Sequence, residues 1–283
     1  MRFAKAYVEI TNICNLSCAF CPKTKRAPRQ MTPAEFELLA ARLRPYTDFL
    51  YFHVMGEPLL HPQLDALLSL ASARGFRVII TTNGTLLPQR AALLCASEAL
   101  HKVNISLHSF EANSGVDMER YLRGCLDFAE RAASSGKLIN LRLWNLDGSA
   151  APGLHEKNDA VLHQIRAHFP QPWTDARGGM KLAQRVYLSY GERFDWPSLA
   201  AADYGERRFC YGLKDQLGVL VDGTVIPCCL DSEGSIALGN LFSQDLDEIL
   251  SGERAKAVSE GFRQNRAVEP LCRRCQYSTR FSR

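Results

Sequence analysis

At 283 residues the chain has room for one large core, or for one large domain with a small appendage. Hydrophobic residues at 46% and charged residues at 23% fit a globular protein and exclude a disordered or fibrous one. A net charge of +4 does not point to nucleic acid, no apolar run reaches the length of a membrane span, and MRFAKAYVEI contains no signal peptide, so a cytoplasmic protein is expected.

In chain order, a first strand is expected at 5–10, directly before the run CNLSCAFC. Cys14, Cys18 and Cys21 have the spacing C-x3-C-x2-C, and the next cysteine is as far away as Cys95. Three thiolates on a four-iron cluster leave one iron with an open position, where chemistry can occur. A structural zinc or an electron carrier uses four. In a reducing compartment, ten cysteines argue for metal or redox chemistry rather than disulfides. The basic run Lys23, Lys25, Arg26 and Arg29 reads either as a solvated loop or as a surface for an acidic electron donor or an anionic substrate.

Further strands are expected at 48–54, 76–81, 102–107, 138–143 and 184–190, alternating with amphipathic helices at about 33–44, 62–74, 86–98, 118–135 and 155–169. Thr32-Pro33 and His61-Pro62 mark helix starts with proline at the first helical position, and Gly75 and Gly136 stand where C-caps belong. Six strands with helices between them predict an α/β fold with a parallel sheet, wound as a partial barrel and too short for a closed eight-unit one. Cys95 and Cys125, on helical segments, read as core residues, and His53 reads as a core histidine inside a strand.

Residues 191–209 lack a clean period and read as a linker. From Cys210 the pattern becomes a hairpin, LGVLV and TVIPC, turned at Asp222-Gly223, followed by helices at about 245–251 and 253–263. Cys210, Cys228, Cys272 and Cys275 can close around either a zinc ion or a four-iron cluster, and spacing leaves both open. Cys229, pointing opposite to Cys228 in a strand, is expected to be a buried thiol. A domain of roughly 70 residues commonly needs such a metal staple.

These motifs resemble the radical S-adenosylmethionine (SAM) superfamily. The N-terminal run, with Phe20 before the third cysteine, is similar to that family's cluster loop. Met55-Gly56-Glu57-Pro58 resembles its GGE motif, and Thr82-Asn83-Gly84-Thr85 and Asn104-Ile105-Ser106-Leu107 resemble further characteristic segments. Cys210-x12-Gly223-x4-Cys228, Gly239-Asn240 and Cys272-x2-Cys275 resemble the SPASM/Twitch extension, in the shorter Twitch form with one auxiliary cluster. The resemblance implies a partial (β/α)6 TIM-like barrel as core at 1–190, a linker at 191–209, and a small Twitch domain (hairpin plus helix) that binds a cluster at 210–283. It implies a [4Fe-4S] cluster on Cys14, Cys18 and Cys21, and an auxiliary [4Fe-4S] cluster on Cys210, Cys228, Cys272 and Cys275. SAM would bind near Phe20, Gly56, Glu57, Thr82, Asn83, Ser106 and Trp144, with Glu57 accepting from its ammonium.

The implied chemistry is one-electron cleavage of SAM to methionine and a 5′-deoxyadenosyl radical, which abstracts a hydrogen atom from substrate in an anaerobic reaction. A flavodoxin- or ferredoxin-type protein would donate the electron. The working face of barrel-like folds lies at the C-terminal strand ends, which selects the loops at Met55, Thr82, His108, Trp144 and Tyr190 and disfavours 171–181. Arg142 and Trp144 share a face by period two, with Trp144 suited to core or pocket. His108, Tyr190 and Glu192 are the candidate catalytic residues, and Arg193, Asp195 and Trp196 read as pocket residues or as linker charges.

The leading expectation is a small polar metabolite as substrate, in an oxidation, a rearrangement or a lyase reaction, with a modified nucleobase, as for queuine lyase, in that class. The first strand so near the N-terminus leaves no room for a peptide-recognition domain before it. Ser106-Leu107-His108-Ser109 also departs from the Ser-Leu-Asp-Gly of many peptide-modifying members. A peptide- or protein-modifying maturase is the alternative. A non-catalytic iron–sulfur or zinc protein is the third reading.

Overall fold

The computed structural model describes residues 2–112, 117–146 and 156–281. In chain order the elements begin β1 (Lys5–Val8), α1 (Pro33–Leu43), β2 (Phe49–Phe52), α2 (Leu64–Ala73), β3 (Arg77–Thr82), α3 (Leu87–Ala96) and β4 (Leu100–Ser106). There follow α4 (Met118–Ser134), β5 (Leu138–Leu146), α5 (Glu156–His168), β6 (Thr174–Ala176), β7 (Gly179–Ala183) and β8 (Val186–Glu192). The C-terminal part contains β9 (Gln216–Val219), β10 (Thr224–Ile226), β11 (Gly239–Asn240), α6 (Leu246–Ser251), α7 (Glu253–Arg263) and α8 (Pro270–Arg273). The expected order of six strands and five helices is present. For the expected helix at 155–169, residue 155 lies outside the described residues.

Contacts divide the chain into two compact units, Met1–Cys14, Cys21–Val78 and Phe194–Arg283 in the first, Asn15–Phe20 and Ile79–Arg193 in the second. In the first, β1 pairs in parallel with β2 on one side and with β9 on the other, and β10 and β11 continue antiparallel from β9. In the second, β5 lies parallel between β4 and β8, and β7 and β6 continue antiparallel from β8. Neither strand set closes on itself. The fold is therefore α/β with an open, largely parallel sheet, a partial rather than a closed barrel.

Local chemistry accounts for the element ends. Thr32 caps α1 in a full capping box with Glu35, and Pro33 occupies the first turn. Gly75 and Gly136, at φ +71° and +88°, end α2 and α4 as expected. The second expected proline start is corrected. Pro62 lies ahead of α2, which begins at Leu64 with no side-chain cap, while Pro58 opens a short 3-10 turn, Pro58–Leu60, capped by Glu57. The β6–β7 hairpin gave no sequence signal, since all its strand residues but Leu182 are half-buried or exposed and lack an apolar alternation.

In the second unit Val103, Ile105, Ile139, Leu141 and Leu143 are fully buried on one sheet face, and α4 buries Tyr121, Leu122, Cys125, Phe128, Ala129 and Ala132 at helical spacing. Each large buried side chain contributes about 1.5–3 kcal/mol of transfer free energy. Cys125 is the core residue expected, whereas Cys95 is half-buried. His53 lies one residue beyond β2, half-buried, with its ring 6.0 Å from that of Tyr7.

Candidate functional site

The N-terminal cysteine loop is built from its stem upward. Glu9 to Asn12 run beside residues 26–31. Thr11 and Gln30 form an isolated bridge, Met31 N–H donates to the Ile10 carbonyl at 2.9 Å, and Asn12 Oδ1 and Nδ2 bond Arg29 N–H and the Ala27 carbonyl at 2.7 and 2.9 Å. Glu57 belongs to the same unit. Its N–H donates to the Ile13 carbonyl at 2.8 Å, and its Oε1 accepts from Leu59 N–H at 3.0 Å. Gly56 stands at φ +76°, and a Cβ there would meet the Thr11 carbonyl oxygen at 2.3 Å. Only glycine fits between Met55 and Glu57.

In the second unit, Asn15 Nδ2 donates to Thr85 Oγ1 at 2.8 Å and its Oδ1 accepts from Asn83 Nδ2 at 2.9 Å. Asn83 Oδ1 accepts from Thr85 N–H and Oγ1–H, and its carbonyl accepts from Tyr121 O–H at 2.7 Å. The Asn83 side chain thus anchors the cysteine loop, a role sequence reading missed. Thr82, buried, accepts Gly84 N–H at 3.0 Å to shape the turn, and shares one face of β3 with buried Val78 and Ile80. In this structure the Thr82 side chain serves the local turn, and that of Asn83 the turn and the loop.

The Phe20 ring lies 5.0 Å from that of His108, and Cys18 Sγ lies 3.8 Å from the Ser109 carbonyl. His108 Nδ1 is 3.3 Å from the Arg142 carbonyl and 3.4 Å from Trp144 N. Burial, with smaller contributions from Arg142 and Arg193, depresses the His108 imidazole to about 4, against an opposing bond to the Arg142 carbonyl. It is a neutral imidazole at ordinary pH. The Arg142 guanidinium stacks 4.4 Å from the Trp144 ring, and Ser106 is the register partner of Arg142. The expected shared face of Arg142 and Trp144 is confirmed, and Gly191 allows it: a Cβ there would touch the Trp144 ring at 2.8 Å.

That face continues as a polar ladder. Asn104 Nδ2 donates to Thr81 Oγ1 at 3.3 Å, and Asn140 Nδ2 donates to Asn104 Oδ1 at 3.4 Å and to Ser189 Oγ at 3.1 Å. Tyr190 does not join it. Its register partner is the core residue Leu143, it shares its face with Val186 and Leu188, and Arg166 of α5 is the charged group acting on it. Tyr190 and Arg142 thus lie on opposite faces of the sheet, since a one-residue step reverses the face. Glu192 is exposed at the end of β8, and Asp195 N–H is bonded by Gln276.

Two of the four basic residues after Cys21 are held in ion pairs within the chain. Arg26 pairs with buried Glu9, and Arg29 pairs with Glu35.

In the C-terminal part, burial raises Cys210 to about 11 and Cys228 well above the thiol range, with further rises from Cys275 and Cys229 on Cys210 and from Cys210, Cys229 and Cys272 on Cys228. Cys272 is raised by burial, then by Cys210 and Cys275. Thiols that raise one another in this way ionise together only with a cation to offset their charge, so the donor chemistry fits a bound metal group. Cys229, pushed to about 11 by burial, instead hydrogen-bonds Tyr7 and packs with Tyr7, Val54, Leu220 and Ile226. Among the described residues no group of three or more His, Cys, Asp or Glu stands close enough for a single metal ion.

With this geometry in place, comparison with known proteins gives the family. Residues 8–138 match the model of the radical SAM superfamily, and residues 210–276 match that of the iron–sulfur cluster-binding SPASM domain. The chain belongs to the radical SAM superfamily and is an enzyme of that class, whose two domains imply [4Fe-4S] clusters and SAM.

It is 27% identical over 292 residues to GTP 3′,8-cyclase of Chlorobaculum tepidum, covering 91% of this chain and 86% of the relative. It is 22% identical to S-adenosyl-L-methionine-dependent 2-deoxy-scyllo-inosamine dehydrogenase of Niallia circulans, covering 96% and 92%. The fold resembles the crystal structure of BtrN in complex with AdoMet and 2-DOIA (TM-score 0.59, 20% identity, 98% and 94% covered). It also resembles Streptococcus suis SuiB bound to precursor peptide SuiA (TM-score 0.63, 15% identity, 100% and 73% covered). No helix among the described residues is long and apolar enough to cross a membrane.

Proposed function

We propose that this enzyme acts on a small polar molecule, in an oxidation, a rearrangement or a lyase reaction. The observation that carries the reading is the polar face of β4, β5 and β8, where Asn104, Asn140, Ser189 and Arg142 stand in successive layers, suited to hydroxyl, amino or anionic groups. Similarity over most of their length to relatives named for a nucleotide and an aminocyclitol supports it.

Cys14, Cys18 and Cys21 would hold a cluster that, when reduced, would supply the electron for SAM cleavage and so the means of hydrogen-atom abstraction from substrate. This chain's residues do the rest. Cys14, Cys18 and Cys21 are the proposed ligands that leave one iron open, and Cys210, Cys228, Cys272 and Cys275 the proposed ligands of the auxiliary cluster. Gly56 lets the backbone at Glu57 approach the loop stem. The Glu57 carboxylate is the proposed acceptor for the SAM ammonium, and Phe20, Thr82, Asn83, Ser106 and Trp144 are proposed to line the cofactor site. His108 is proposed to orient groups beside Arg142 as a neutral imidazole, with Tyr190 and Glu192 as further catalytic candidates. The functional division is proposed as 1–190, 191–209 and 210–283, in a cytoplasmic enzyme served by a flavodoxin- or ferredoxin-type donor.

The test uses the anaerobically reconstituted, reduced holoenzyme. 5′-Deoxyadenosine formation is measured with the dialysable metabolite fraction of a cell extract, with GTP, and with 2-deoxy-scyllo-inosamine. Stimulation by the metabolite fraction or by either compound supports a small substrate. Stimulation only by the retained macromolecular fraction would sink it.

A further inference from the structure

Glu9 stands five residues before Cys14 and Arg26 five residues after Cys21, and the two meet at the base of the cysteine loop. Arg26 Nη1 and Nη2 donate to Glu9 Oε2 and Oε1 at 2.7 and 2.6 Å, a bidentate pair with the Glu9 side chain fully buried and that of Arg26 at 16% exposure. Both partners are also held by the C-terminal segment. Val221 N–H donates to Glu9 Oε2 at 3.0 Å, and Arg26 Nε donates to the Ser232 carbonyl at 3.0 Å. Beside them, Lys25 N–H donates to the Glu233 carboxylate at 3.2 Å. Ser232 and Glu233 lie four and five residues beyond Cys228, in a turn whose Asp231 carboxylate binds Ser235 and Ile236 N–H at 2.8 and 2.7 Å.

We propose that the Arg26–Glu9 pair is a clasp that positions the N-terminal cysteine loop and couples it to the C-terminal cysteine set, so that loading of one set steadies the other.

The physical ground is the placement of the charges. A buried ion pair is a poor source of net stability, because desolvation offsets its attraction, yet breaking it by removing one partner is severe. A planar guanidinium serves three elements at once here, the end of β1, the loop stem and the turn after Cys228, which a point-charge ammonium cannot do with the same geometry. The resulting path runs from Cys228 through the Asp231 turn and Ser232 to Arg26, then to Cys21 along a short stretch of chain. By reciprocity, whatever orders the turn also orders the loop stem, and the reverse. Arg26 is a positioning residue: it acts through the loop and touches no reacting atom.

The coupling rests on the reading of these cysteines as cluster ligands, so two independent measurements are needed. The first is amide hydrogen exchange across residues 22–30 of the anaerobic holoprotein. Arg26→Met and Cys272→Ala/Cys275→Ala are each expected to speed exchange there about tenfold or more (about 1.4 kcal/mol of lost protection). The second is the electron paramagnetic resonance spectrum of the reduced protein with SAM, together with KM for SAM. Arg26→Met is expected to alter the spectrum and raise KM severalfold, Arg26→Lys to recover part of both, and Glu9→Gln/Arg26→Met to be no worse than Arg26→Met alone. Unchanged exchange at 22–30 in the Cys272/Cys275 variant would overturn the coupling. An Arg26→Met protein that is less stable but keeps its spectrum and KM would reduce the pair to a structural one. Failure of wild type to bind any iron would instead count against the ligand assignment.

Discussion

Gly56 and His108 show how single residues set the site. At Gly56 both the positive φ and the Thr11 carbonyl 2.3 Å from a would-be Cβ exclude any other residue. Gly56→Ala should therefore lower stability by about 1–3 kcal/mol, read as a reduced midpoint of chemical unfolding of the holoprotein. His108 makes the local chemistry pH-dependent. Its imidazole, ordinarily 6.5, sits at about 4 because burial penalises the charged form. As pH falls the unfolded chain takes up the proton first, so this contribution is complete above 6.5 and is lost as pH drops towards 4. Between about pH 7 and about pH 5 wild type should lose roughly 2 kcal/mol more than His108→Asn, measured by urea unfolding at both values. Equal slopes would mean that the imidazole is already charged in the fold.

At the scale of elements, the loop between β1 and α1 is held at its tip as well as its stem. Asn15→Ala removes the bonds to Thr85 and Asn83, worth about 1–3 kcal/mol together. The expected result is faster loss of iron to a chelator with global unfolding nearly unchanged, because the defect is confined to the tip. Equal chelation rates would show that Asn83 is not an anchor. The capping box of α1 offers a contrast: Thr32→Ala should cost about 1 kcal/mol of overall stability, seen in the thermal midpoint, without altering the rate of iron loss.

Helix starts and C-caps were legible because Thr-Pro and glycine act within a few residues of themselves. The Asn15–Asn83 bond was not, because its partners lie 68 residues apart and asparagine is a common turn residue at both positions. The sheet face of Tyr190 was not legible for a related reason. An aromatic at a strand end suits either face, and only the pairing of β8 with β5 assigns it to the α5 side.

For the whole molecule, the two cysteine sets give a countable consequence. Reconstituted wild type should hold about eight irons per chain and Cys272→Ala/Cys275→Ala about four. About four irons with one zinc in wild type would remove the auxiliary cluster from this account. The basic run after Cys21 shows why a charge pattern alone is a weak guide at this scale. Its arginines looked available for an acidic partner, and in the fold two of them neutralise Glu9 and Glu35.

By itself the sequence determined the three-against-four division of the cysteines, the alternation of strands and helices, and the hairpin at Asp222-Gly223. All of these are signals carried by neighbouring residues, through spacing, period and turn chemistry. The tertiary structure alone decided that β9 pairs in parallel with β1, that Asn83 bonds Asn15, that Arg26 pairs with Glu9, and that Cys229 turns to Tyr7. Those outcomes depend on strand register and on pairings between distant parts of the chain, where a side chain's partner is fixed by which face it occupies and not by what type it is.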